Sequence, residues 1–137
     1  MNQDESANSL PYFAFSASLR VLGEIPDWEA ISRALNLRPT HTHRRGERGR
    51  LDNPYPHDAW IYEAQVPEES PATDHVLALC RALEAAKDLA LLRERYTVDV
   101  FCGYRSDSDH GSFNLSAEAL SALGALGLPA HFSVIIT

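Results

Sequence analysis

Residues Pro39 to Arg50 read Pro-Thr-His-Thr-His-Arg-Arg-Gly-Glu-Arg-Gly-Arg, and they concentrate the side chains best suited to ligand chemistry. Counted from Arg38 to Arg50 the segment holds five Arg and one Glu, net +4, so the rest of a chain of net charge −7 carries −11. In an extended segment His41 and His43 point the same way, and with His57 they could offer imidazole ligands. Arg44, Arg45 and Arg48 would repel a cation, and no Cys, Asp or Glu lies at ligand spacing, so no metal site is expected. The same cluster suits an anion such as a phosphate, a carboxylate or an acidic side chain. His41, His43, Arg44, Arg45 and Arg48 are therefore the candidate anion site, with Gly46 and Gly49 allowing close backbone approach. No phosphate-loop pattern is present, and the competing expectation is a solvated, salt-bridged loop.

No other motif carries catalysis. There is no G-x-S-x-G, and Cys80 and Cys102, the only thiols, lie in apolar stretches where a free Cys behaves as a small hydrophobe. Asp107, Asp109 and His110 sit in a polar tract whose residues are also the default formers of turns. No catalytic residue and no cofactor is assigned.

These residues must be positioned by regular elements. Alternation from Tyr12 to Leu22, Ala59 to Val66, Tyr96 to Tyr104 and Phe132 to Ile136 predicts strands, with a further short strand over Ser112 to Leu115. Asp27 caps a short helix ending near Asn36. A long helix runs from Asp74 to Glu94 on the stripe Val76, Leu79, Cys80, Leu83, Ala86 and Ala90, and Ser116 and Gly127 bound a third. Residues 37–58, with Pro39, Gly46, Gly49, Pro54 and Pro56, form a long basic loop. The order predicts an α+β fold with a ferredoxin-like βαββαβ core, preceded by an extra N-terminal strand and helix, its helices packed on one face of a mostly antiparallel sheet.

Strand parity then sorts the side chains. Phe13, Phe15, Leu19, Trp60, Val98, Val100, Phe132 and Val134 should face the helices. Arg20, Ile61, Glu63, Asp99, Phe101, His131 and Ile135 should stand on the open side, mixing charges with large apolar groups as a partner-binding face does.

At 137 residues the chain has room for one domain, expected over 11–137 behind a disordered polar tail at 1–10. That tail lacks the basic start and apolar stretch of a secretory signal. No apolar run approaches the roughly 20 residues of a spanning helix, so no membrane partner is expected. With net charge −7 and pI near 5.2, nucleic acid is not an expected partner either. Two unpaired thiols suit the cytoplasm.

Several segments together resemble a known family. They are Phe15-Ser-Ala-Ser-Leu-Arg-Val-Leu-Gly23, Asp27 with the helix end from Ile31 to Leu37, Pro39-Thr40 and Arg45-Gly46-Glu47. The strand led by Trp60, Phe101-Cys102-Gly103-Tyr104 and Gly111-Ser-Phe-Asn-Leu-Ser116 complete the set. In this order and spacing they look like the bacterial family called domain of unknown function 4279, from Phe15 to the C-terminus. That family has no established activity. The resemblance implies a small bacterial cytoplasmic α+β domain and transfers no catalytic residue.

The expected function is a non-enzymatic module that binds a protein partner or a second copy of itself. Its most concrete form is an immunity protein that neutralises a toxin, the acidic charge steering it to a basic nuclease-like partner. The alternatives are an anionic-ligand binder or enzyme using residues 38–50, with His41 or His43 transferring protons, and a homodimeric structural domain.

Overall fold

The structure is a computed structural model that describes residues 13–49, 51–86, 88–107 and 112–136. The expected tail at 1–10, Asp109 and His110 lie outside the described residues.

β1 (Phe13–Gly23) is the longest strand and the centre of a five-stranded sheet. α1 (Trp28–Leu35) follows, started by the Asp27 carboxylate accepting from the Glu29 N–H and stopped by Asn36 in the left-handed conformation. β2 (His41–His43) and β3 (Asp58–Glu63) precede α2 (Ala72–Ala82) and α3 (Leu89–Arg95). β4 (Thr97–Ser106), α4 (Ala117–Leu126) and β5 (Ala130–Ile136) complete the described chain. The sheet order is β2-β3-β1-β4-β5, antiparallel throughout except for the parallel pair β4 and β5, which α4 connects.

All helices contribute to one core against one sheet face. Leu19, Val21, Trp60, Val98 and Val100 meet Ile31, Leu35, Val76, Leu79, Leu92 and Ala119 in a single buried cluster. Burying side chains such as Leu79 or Trp60 contributes about 1.5–3 kcal/mol each, which fixes strand parity because a one-residue slip would expose the whole set. Trp60, wholly buried, also donates its indole N–H to Ser32 Oγ at 3.1 Å and so ties α1 to β3.

Helices on one face of an α+β sheet are therefore present, and the ferredoxin-like detail is corrected. β1 is not an appendage: it inserts between β3 and β4, which flank it in parallel as a split β-α-β unit. Ser112 to Leu115 forms no strand. Its Phe113 ring packs instead on Phe15, Tyr104 and Phe132 at 5.8, 5.6 and 6.3 Å, and the Ser116 N–H bonds to Thr73 Oγ1. The expected long helix is two helices. After Leu83, which is buried, Glu84 to Ala86 supply no large apolar side chain to hold a continuing helix on the sheet, and i→i−3 bonds such as Ala86 N to Leu83 O tighten the chain into turns. Phe132 and Val134 take the predicted parity yet stay 45% and 53% exposed, beyond the cover of the helices.

The long loop is also more ordered than its composition suggests. β2 pairs with β3, and the excursion beyond it bonds to itself through Gly46 N to Tyr55 O, Tyr55 N to Glu47 O and Gly49 N to Asn53 O.

Candidate functional site

The uncovered face of the sheet assembles side chains from all five strands. By register, His41, Ile61, Arg20 and Asp99 form one row across β2, β3, β1 and β4. Glu63, Ser18, Phe101 and His131 form the next row, across β3 to β5. Ile135 stands beside Arg105 four residues further along β5 than His131. The structure thus brings Arg20, Ile61, Glu63, Asp99, Phe101, His131 and Ile135 to one surface, with His41 and His43 on its β2 margin.

These groups hold one another. Arg20 donates from Nε to Asp99 Oδ1 at 2.8 Å and from Nη2 to Asp99 Oδ2 at 2.6 Å, a bidentate pair with side chains 25% and 14% exposed. Its guanidinium lies 4.7 Å from the centroid of Phe101, which also stacks on the His131 ring at 5.4 Å and 12°. Phe101 is consequently half-buried by its own neighbours. A row of small residues, Ser16, Gly103 and Ser133, floors a trough of about 350 Å³ whose walls include Glu63, Phe101, Arg105 and Ile135. A Cβ at position 103 would stand 2.8 Å from Ser16 Oγ, so a larger residue there would have to displace the Ser16 hydroxyl.

The loop candidates do not converge on one site. His41 Nε2 and His43 Nδ1 lie 3.0 Å apart, and the His43 ring stacks on Tyr55 at 3.5 Å and 6°. Burial, and then the neighbouring His41, hold His43 below the ordinary imidazole value of 6.5. Arg44 turns to the opposite side: its guanidinium covers the Trp28 ring at 4.0 Å, donates to the Ile25 carbonyl and reaches Asp58 Oδ2 at 3.3 Å. Arg48 is engaged with Asp52, by its Nη1 on the backbone carbonyl at 2.7 Å. Arg45 lines a cleft with Arg95 and His57.

Asp58 organises this corner, and its role was hidden in the sequence because its partners lie 33 and 13 residues away. Oδ2 accepts from the Ile25 N–H at 2.9 Å and Oδ1 from the Arg45 N–H at 2.8 Å. The Arg45 and Ile25 N–H groups, with the Arg44 charge behind them, hold its carboxyl below the ordinary 3.8. Tyr55, Arg95 and Asp58 carried no motif that could have marked them.

Both thiols are buried. Burial raises Cys80, and burial with Cys80 alongside pushes Cys102 up to about 11, so both are held as neutral thiols. Among the described residues no group of three or more His, Cys, Asp and Glu is placed to hold a metal ion, and no helix is long and apolar enough to cross a membrane.

A mixed five-stranded sheet with its described helices on one face and a bare, internally bonded surface on the other defines a small two-layer α+β domain. The chain belongs to the family described as Domain of unknown function (DUF4279), which it matches over residues 13–136. No curated protein and no solved structure matches it.

Proposed function

We propose that this protein is a non-enzymatic interaction module of the bacterial cytoplasm whose contact surface is the open sheet face. The observation that carries the reading is the preassembled surface itself. Arg20, Asp99, Phe101 and His131 are fixed by one another before any partner arrives, so little side-chain entropy remains to be lost on docking. The reactive candidates are otherwise occupied, the two thiols by burial and His41 and His43 by each other and Tyr55. An immunity protein that neutralises a toxin is the most concrete form, and a chain of net charge −7 would be steered toward a basic partner. Capture from source-cell extract with the intact chain and with Phe101→Glu tests this, circular dichroism verifying the fold. A partner retained by the wild type and lost by the variant is expected, and equal retention by both overturns the reading.

A second reading, a homodimer, is favoured by β5. This strand carries no formal charge in an acidic chain, and Phe132, Val134, Ile135 and Ile136 are 44–53% exposed. Antiparallel pairing with a second copy about Ser133 would set Phe132 against Val134 and cover the sheet edge. Light scattering over a range of concentrations decides it, because Ile135→Glu should abolish any dimer the wild type forms.

A further inference from the structure

The corner fastened by Asp58 opens into a cleft of about 1040 Å³ at the opposite end of β1 from the trough, between the β1–α1 turn, the start of the basic loop and the α3–β4 junction. Its cations are Arg44, Arg45 and Arg95, its carboxylates are Asp58 and Glu24, and His57 also lines it.

Two of the three arginines are uncommitted. Arg44 is spent on Ile25, Asp58 and Trp28, as described above. Arg45 and Arg95 form no salt bridge among the described residues, although the chain holds 19 acidic residues against 12 Lys and Arg. Asp58 cannot readily serve them, since it already accepts two backbone N–H groups and faces Arg44. Nor are the two arginines on wandering segments. The Arg45 N–H is bonded to Asp58, and Arg95 ends α3 one residue before β4, with its guanidinium 5.9 Å from the Tyr96 ring centroid. Ile25, Pro26 and Tyr96 add an apolar wall beside them. The volume is at the upper end for small-molecule sites, which pair apolar walls with a few placed polar groups.

We propose that this cleft binds a small organic anion, a carboxylate or phosphate monoester on an apolar body, with Arg45 and Arg95 holding the charge and Tyr96 and Pro26 contacting the body. Guanidinium groups suit both anions because their planar fork donates in parallel to two oxygens. The site is distinct from the open sheet face and does not depend on the function proposed for that face.

Titrating the 15N-labelled protein with phenyl phosphate, benzoate and inorganic phosphate, followed by amide chemical shifts, tests the proposal. Saturable shifts at Gly23, Ile25, His57 and Tyr96 are expected for phenyl phosphate or benzoate, and the tighter of the two assigns the anion class. Binding of inorganic phosphate should be weaker by about tenfold, as loss of the contacts to the apolar wall requires. The Arg45→Ala/Arg95→Ala double variant, altering two exposed side chains, should lose at least about tenfold in affinity. Arg48→Ala, whose arginine already engages Asp52, should bind as the wild type does. No saturable shift with either organic anion, an unchanged affinity in the double variant, or shifts centred on Ile61 and Phe101 would each overturn the assignment.

Discussion

Replacing Asp58 by Ala removes a carboxylate that fastens the β1–α1 turn, the start of the basic loop and the head of β3 together. The change leaves the Ile25 and Arg45 N–H groups without their acceptor, bonds of 2.9 and 2.8 Å, and strips Arg44 of its counter-charge at 3.3 Å. Hydrogen bonds to an ionised group contribute about 1.5–3 kcal/mol each. The Asp58 side chain is only 15% exposed, but the cleft beside it admits water that can replace part of what is lost, so the low end applies to each bond. Two such bonds give an expected loss of about 3 kcal/mol at neutral pH. For a slope of roughly 1.5 kcal/mol per molar urea, this moves the unfolding midpoint down by about 2 M. Asn, which retains one acceptor oxygen, should lose about half as much. The pH dependence gives a second check. Because the folded pKa of Asp58 lies below the unfolded value of 3.8, its contribution is present above 3.8 and disappears as pH falls through the folded value. The gap between wild type and Asp58→Ala should therefore close in acid. A loss under about 0.5 kcal/mol at pH 7, or a gap unchanged in acid, would refute the clamp.

Two further outcomes follow from buried or stacked histidines. His75 is buried with neither ring nitrogen bonded among the described residues, so His75→Leu should stabilise the protein by about 1 kcal/mol in urea unfolding; a marked loss of stability would show that the ring has a partner. His43 has a folded pKa below 6.5, so on acidification the unfolded chain takes up the proton first, and stability should fall as pH drops from 6.5 toward the folded value. His43→Gln should remove that part of the slope, and an equal slope in both proteins would contradict it.

Much of the scaffold was legible because it rests on local periodicity. Alternation located β1, β3, β4 and β5, and the caps Asp27, Asn36, Ser116 and Gly127 bound their helices as expected. Parity alone placed all seven open-face residues together, since burying Leu19, Trp60 and Val100 leaves Arg20, Ile61 and Asp99 no other side. What depends on distant partners was hidden. The insertion of β1 between β3 and β4 is set by pairing across the whole chain, and a three-residue strand such as β2 is too short to show a period. The basic segment read as one cluster because its residues adjoin in sequence. In space Arg44 follows Trp28 and Asp58, His43 follows Tyr55, and Arg48 follows Asp52, each captured by its own neighbour.

The central claim, that the open sheet face is where a partner docks, is tested most directly by chemical labelling of histidines in the free protein and in the complex captured from source cells. His41, His43 and His131 lie on that face, whereas His57 lines the cleft on another side of the molecule. Diethyl pyrocarbonate modification read by mass spectrometry should show His131 and His41 protected in the complex and His57 labelled as in the free chain. Protection of His57 with His131 left open would contradict the account and move the contact surface to the cleft.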